Sequence, residues 1–558
     1  MNREGFQLGP LSEQVSGAIE TARVENVAQR IWSKDASLWK SDQENAKVIS
    51  NSLGWLTVVG EMLDVVDELG AFAESVRERG FQHVMVCGMG GSSLCPEVLA
   101  RTFGHQPGFP ELLVLDSTDP DVIAAFQQRI EIERCLFVIA SKSGSTTEPN
   151  AFYKFWYEEL SKRSKNPGDN FIAITDPGSP LVETAAKLRF QRTFLNQADI
   201  GGRYSALSYF GMVPAALMGL DVRRLLEGAQ AAAQQAGALE LGIAMGECAR
   251  AGRDKLTLVI NSPIETLGLW IEQLIAESTG KEGKGILPVN GESLGSPEVY
   301  GDDRLFVSIS LGSVPYDMQP ELDALAAAGH PVIYRSLDDI YDLGAEFFEW
   351  EFATACAGWR LGINPFDQPN VQEAKDATKE LLATFLRRGH LEERNVIASD
   401  EGLTLYGEEK QEATSVAEVL RSVLATIKPG DYIAFLNYIE ETPEIDQKLQ
   451  EIRTQLRDTT RCAVTVGYGP RFLHSTGQLH KGGPNTGVFF QVIANDEIDF
   501  PIAGEDYTFT ILKQAQALGD FRALVKRGRR VIGVDLRDHT LSGLDFLGAA
   551  LRGRPPRT

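Results

Sequence analysis

The residues best placed to do chemistry cluster at a few turns. In Ser141-Lys142-Ser143-Gly144-Ser145-Thr146-Thr147, five hydroxyls and a lysine fall within seven residues. The segment follows an apolar run ending at Ala140, and a helix is expected from near Asn150. A strand-to-helix turn gathers backbone N–H groups and the positive end of the helix dipole, so added hydroxyls can surround a phosphate with donors. A capped helix with spare serines is the plainer alternative. A second turn of this kind is Cys87-Gly88-Met89-Gly90-Gly91-Ser92-Ser93, between an apolar run at 84–86 and an expected helix over Leu94 to Phe103. Its spacing is not the dinucleotide fingerprint, since a third glycine and a ribose-binding acid are missing.

Three further patterns carry charge. Gly201-Gly202-Arg203-Tyr204-Ser205 is read as opening an apolar helix over 206–218. An arginine there opposes the helix dipole, and after two glycines it can be held to meet a negative charge. Glu277 lies on the same helical face as Trp270 and Leu274. A carboxylate on an apolar face is costly unless it is paired or used. In Phe366-Asp367-Gln368-Pro369-Asn370-Val371-Gln372-Glu373-Ala374-Lys375, proline at a first helical position would set Gln368 at the helix entry and Lys375 two turns on.

The elements needed to position these residues follow from hydrophobic period. Helical stripes (Val15, Ile19, Val27, Ile31; then Trp55, Val58, Met62, Leu63, Val66, Leu69) occupy the first 70 residues. Apolar strand runs at 84–87, 112–116, 136–140 and 171–175 then alternate with helices. After a helical bridge at about 206–252 the series repeats at 256–260, 286–289, 305–311 and 332–334. Such runs imply parallel sheets buried on both faces, with ligands at strand C-termini. Beyond a charged stretch from Lys379 to Glu418, strands are expected at 432–438, 463–467, 488–493 and 531–536. The predicted fold class is α/β, with two tandem doubly wound modules and an additional C-terminal α/β region. The expected divisions are N-terminal helices over 1–70, modules over 71–235 and 236–378, and the C-terminal region over 379–558. The tail from Arg552 to Thr558 is expected to fray.

Composition narrows the function. A net charge of −23 argues against a nucleic-acid partner, so any phosphate site must be made locally. No apolar run is long enough to span a bilayer, and Met1 to Pro10 lacks the apolar core of a signal peptide. Six scattered cysteines without a CxxC pair read as reduced, buried residues of a cytoplasmic protein. With no HExxH either, neither a metal nor another cofactor is expected.

Taken in order, the Ser-Lys-x-x-x-Thr turn, Gly-Gly-Arg-Tyr-Ser, Glu-Ser-x-Gly-Lys and Phe-Asp-Gln-x-x-Val-x-x-x-Lys resemble the phosphoglucose isomerase family over residues ~50–380. Within it, Gly477-Gln478-Leu479-His480-Lys481-Gly482-Gly483 is most similar to the isomerase half of bacterial transaldolase/isomerase fusion proteins, here expected without the aldolase barrel. The resemblance implies two sugar-isomerase (SIS) modules and interconversion of glucose 6-phosphate and fructose 6-phosphate without a metal. It implies that Gly91 and Ser92 touch sugar or phosphate, and that Ser141, Lys142, Ser143 and Thr146 hold the phosphate. Arg203 would lie beside C1 and C2, Glu277 would move the proton between them, and Gln368 and Lys375 would sit near the ring oxygen or phosphate. The family's ring-opening histidine has no counterpart between Gly280 and Ile309. Its role would pass first to His480, then to His474, or else to Lys375 with water. A homodimer is possible. The alternatives are an isomerase that also takes mannose 6-phosphate, and a regulator that binds sugar phosphate without catalysis.

Overall fold

The computed structural model describes residues 5–235, 237–400, 402–408 and 415–552. In chain order its strands are β1 (Gly5–Gln7), β2 (His83–Cys87), β3 (Glu111–Leu115), β4 (Cys135–Ala140), β5 (Phe171–Thr175) and β6 (Arg192–Leu195). They continue with β7 (Lys255–Ile260), β8 (Leu287–Val289), β9 (Arg304–Leu311), β10 (Val332–Leu337), β11 (Val396–Ser399) and β12 (Thr404–Tyr406). Last come β13 (Tyr432–Tyr438), β14 (Ala463–Tyr468), β15 (Gly487–Ile493) and β16 (Arg530–Asp535).

These strands make three sheets, ordered β3-β2-β4-β5-β6, β1-β10-β9-β7-β8 and β11-β12-β16-β15-β13-β14. The first is parallel throughout, as its fully buried apolar strands require. The second is parallel except where β1 joins β10, and the third except where β12 joins β11 and β16. The expected α/β class is therefore present. The four strands not foreseen lack a readable pattern: β1 and β12 are three residues long, β11 buries only Ile397 of its four, and the edge strand β6 carries a half-buried Arg192 and an exposed Leu195. The expected fraying of the tail concerns residues that, apart from Arg552, lie outside the described ones.

Strand order matters more than strand number. In the first sheet β2 lies between β3 and β4, so the chain leaves in opposite directions at the C-terminal ends of β2 and β4. That crevice is the expected ligand position of a doubly wound sheet. The two glycine- and hydroxyl-rich turns, 87–93 and 141–147, are the segments that follow β2 and β4. In the third sheet β13 has the same central position, and His474 follows β14 in the 3₁₀ turn Arg471–His474.

The cores show how the parts lock together. One face of the first sheet packs with Val58, Met62 and Leu69 of the helix Val58–Glu78 and with the buried helix Leu343–Leu361. Its other face, through Phe137, packs under the helix Thr147–Ser161, whose Phe152 and Phe155 share a core with Leu381 and Leu382 and with Phe509, Leu512, Ala515 and Leu518 of the helix Phe509–Lys526. The C-terminal region thus supplies apolar side chains to the first module. Among the described residues no helix is long and apolar enough to cross a membrane. The six cysteines are all buried and unpaired.

Candidate active site

Glu277 is in the last turn of the helix Leu267–Thr279, which is buried almost all round, and its side chain is only 10% exposed. Its Oε1 pairs with Arg203 Nη1 at 3.2 Å. Arg203 is held from every side. Nε donates to Ser278 Oγ (2.7 Å), Nη1 to Gln368 Oε1 (3.0 Å), and Nη2 to the carbonyls of Pro365 (2.7 Å) and Asp367 (2.9 Å). A buried guanidinium with its donors engaged cannot swing away or lose its proton, so it is a fixed positive charge beside the carboxylate. Lys281 fastens the same loop through Asp367, donating to its carbonyl (2.5 Å) and Oδ1 (2.6 Å). Burial, then Arg203, bring the Lys281 ammonium down to about 8.

Two sequence readings of this region need correction. Arg203 does not open a helix: it sits in the 3₁₀ turn Gly202–Tyr204, and the helix starts at Tyr209 because Ser208 caps the Phe210 N–H. Pro369 likewise precedes its helix, which runs Val371–Arg388 from an N-cap at Asn370. Gln368 therefore meets Arg203 from a loop.

The turn after β2 closes on this pair. Gly90 has φ +54°, and a Cβ there would lie 2.6 Å from Gln273 Nε2; at Gly91 it would lie 1.8 Å from the Gly202 carbonyl oxygen. Both positions exclude a side chain, so this turn packs backbone to backbone against Gly202-Arg203, with Ser92 buried beside it. Gln273, one turn before Glu277, donates to Glu277 Oε2 (3.2 Å) and to the His474 carbonyl (2.8 Å).

The turn after β4 opens onto a cavity of about 210 Å³, lined among others by Ser143, Ser145, Thr146, Lys375, Lys379 and His474. Its hydroxyls touch mainly one another: Ser141 Oγ lies 3.1 Å from Thr146 Oγ1, and Ser143 Oγ 3.4 Å from it. Lys142 is placed elsewhere. Its ammonium pairs with Asp176 (2.5 Å) and the Ala198 carbonyl (3.0 Å), so its side chain is not among the cavity's walls. Lys379, one turn beyond Lys375 on the same helix, takes a place that the sequence reading had not assigned.

The two histidines separate cleanly. His474 lines the cavity, and its Nε2 is 3.1 Å from Glu148 Oε1. Among the described residues its ring makes no other hydrogen bond. Burial pushes the Glu148 carboxyl up, but the His474 pairing, the chain's own N–H and Lys375 outweigh it, leaving it below the usual glutamate range. His480 lies in the core, 2% exposed, stacked near Tyr432 and edge-on to Phe489, with Nδ1 2.9 Å from the Tyr432 hydroxyl. Burial, with Lys481 and Arg529, drives its pKa well below the usual histidine range. The first choice for ring opening, His480, is thus a packing residue, and His474 faces the cavity.

Glu148 and Gln516 were not foreseen. A carboxylate in the first turn of the helix Thr147–Ser161, against a supposed phosphate turn, is repulsive unless paired, and that conflict was a usable signal. Gln516 left no signal in the sequence. One carboxylate cluster, Asp119, Asp121 and Asp496, lies apart from the site, and the Lys513 ammonium pairs with two of its members. Wider cavities of about 390 and 840 Å³ are lined by none of the motif residues.

Hydroxyls at the switch point of a doubly wound sheet, with a buried Arg–Glu pair tied through Gln273 to the His474 backbone at the cavity wall, define a phosphosugar-type α/β protein. The phosphoglucose isomerase profile matches residues 20–239. Glucose-6-phosphate isomerase of Rubrobacter xylanophilus is 30% identical over 361 residues, covering 55% of this chain and 84% of that relative. The Campylobacter jejuni glucose-6-phosphate isomerase is 26% identical over 386 residues, covering 61% and 94%. Among solved structures, a hypothetical protein from Thermus thermophilus superposes with a TM-score of 0.58 at 23% identity, covering 68% of this chain and 100% of its own. A glucose-6-phosphate isomerase from Chlamydia trachomatis gives 0.53 at 19%, covering 67% and 86%. The chain belongs to the phosphoglucose isomerase family.

Proposed function

We propose that the protein catalyses the reversible isomerisation of D-glucose 6-phosphate and D-fructose 6-phosphate through a cis-enediol(ate). The observation that carries this reading is the Arg203–Glu277 pair, a carboxylate able to move a proton beside a cation that cannot yield one. Binding alone needs neither, which speaks against a non-catalytic regulator.

The phosphate sits among Ser143, Ser145 and Thr146 at the turn after β4, with Lys375 and Lys379 opposite. His474 opens the ring, taking the proton from the C1 hydroxyl and delivering one to the ring oxygen, and Glu148 holds the imidazole and offsets its charge when protonated. Glu277 then removes the C2 proton of the open aldose. Electrons move into a C1–C2 double bond, and the oxygen charge that develops faces the Arg203 guanidinium. A proton passes from the C2 hydroxyl to the C1 oxygen, and return of the Glu277 proton to C1, as the C2 oxygen becomes a carbonyl, yields the ketose. His474 and Lys375 line one cavity of this chain, and Gln273 links Glu277 to the His474 carbonyl. Six buried, unpaired thiols suit a reducing, cytoplasmic setting.

The test is a coupled assay of the purified protein with fructose 6-phosphate, before and after prolonged EDTA treatment. Glucose 6-phosphate should form at the same rate in both. No turnover would refute the reading, and a loss restored by a divalent ion would point to metal-assisted chemistry.

A further inference from the structure

We infer that Gln516, from the helix Phe509–Lys526 of the C-terminal region, is a positioning residue that fixes Glu148 and through it sets His474 for ring opening. The inference rests on the ring-opening role proposed for His474.

Gln516 is 3% exposed and reaches the cavity wall. Its Nε2 donates to Glu148 Oε1 at 2.7 Å, and its Oε1 accepts from the Thr118 hydroxyl at 2.7 Å. The opposite rotation of the amide would set its oxygen against a carboxylate oxygen, two acceptors with no proton between them. The carboxylate and the fully buried Thr118 therefore agree on one orientation. The same Glu148 oxygen meets His474 Nε2, so amide and imidazole converge on one atom from two sides. With one of its carboxylate oxygens held by a buried donor, Glu148 cannot rotate about its last torsion, and the imidazole it bonds is aimed with it.

The chemical type of Gln516 matters as much as its place. An amide donates without carrying charge. A lysine or arginine in its stead would neutralise Glu148 and make His474 a poorer proton acceptor. The other ionisable groups facing Glu148 are Lys375, across the cavity, and the buried Tyr438, whose hydroxyl is held protonated by its burial. Gln516 thus orients the acid without competing for its charge, and the C-terminal region takes part in catalysis at one remove.

The experiment compares Gln516→Leu, Gln516→Glu, Thr118→Val and His474→Ala on the cyclic sugar phosphate and on an open-chain aldose phosphate lacking the ring-forming hydroxyl. Gln516→Leu should lower kcat on the cyclic substrate roughly 10- to 100-fold, with KM little changed and open-chain turnover nearly intact. Thr118→Val should show the same split at smaller size. Gln516→Glu adds a second carboxylate beside the dyad, so the pH profile of cyclic turnover should move upward while the open-chain profile stays put. Equal slowing of both substrates in Gln516→Leu would reveal a merely structural residue and overturn the inference, as would no slowing at all. Should that variant fail to fold, an unmoved profile in Gln516→Glu overturns it instead. A selective cyclic loss in His474→Ala without one in the Gln516 variants sinks the inference alone. No selective loss in His474→Ala sinks both it and the role of His474.

Discussion

The two ends of the proposed site are built on opposite principles. Around Arg203 and Glu277 the polar atoms are buried and committed: Arg203 bonds a hydroxyl, an amide, two carbonyls and a carboxylate. Around Ser143, Thr146, Lys375 and Lys379 the side chains line open space, and the turn's hydroxyls bond chiefly one another, Ser141 and Ser143 meeting Thr146 at 3.1 and 3.4 Å. One end is fixed before substrate arrives, as charge stabilisation demands, since reorganisation during reaction would raise the barrier. The other keeps its donors available for a group that must bind and leave. Mutations at the first end should therefore act on rate, and at the second on affinity.

The largest effect should come from Glu277→Gln. It preserves shape but removes the proposed base, and turnover should fall by about 10²–10⁴ or more while sugar-phosphate binding persists. Near-normal turnover would erase the distinction between the two ends. Next is His474→Ala, for which cyclic substrate should slow by about 10² and an open-chain substrate far less. His480→Ala should instead cost about 1–3 kcal/mol of stability, by hollowing the contact between Tyr432 and Phe489, and spare the rate. If thermal melting and kinetics show the reverse pattern, the two histidines have been exchanged.

At the binding end, Ser143→Ala and Thr146→Ala should each weaken 6-phosphogluconate by roughly 1.5–3 kcal/mol, read by calorimetry, with kcat nearly kept. Unchanged affinity in both would make the turn a helix cap. The smallest effect concerns pH. The folded Glu148 titrates below its unfolded value, so between the two values the unfolded chain binds more protons and acid favours unfolding. The stabilisation is present above pH ~4.5 and lost as pH falls through the folded value. Glu148→Gln should flatten the acid side of the stability curve. An equally steep fall would assign that slope to other carboxylates.

Much of the frame was legible because buried parallel strands need unbroken apolar runs, and β4, β5 and β13 have them. Glu277 was legible for a related reason, since a charge on an apolar helical face has few explanations. The histidines were not. His474 and His480 lie six residues apart on either side of a turn, and only the packing of Tyr432 and Phe489 decides which is buried. Lys142 was misplaced because a lysine in an anion turn can reach either way, and Asp176 draws it outward. Gln273 and Gln516 are common amides on helices, and nothing local distinguishes them from surface residues.

The covering of Phe152 and Phe155 by Phe509 and Leu512 has a consequence for how the molecule is made. The outer, aromatic side of the helix Thr147–Ser161 stays open to water until residues some 360 positions downstream have been synthesised. At about 5–20 residues per second that interval is roughly 20–70 s on the ribosome. During it the nascent module carries exposed aromatic surface, and the pocket proposed for ring opening is incomplete, because Gln516 and His474 have not yet emerged. Catalytic competence is then among the last properties the chain acquires, and a stall late in translation releases a sticky and inactive product rather than a working fragment.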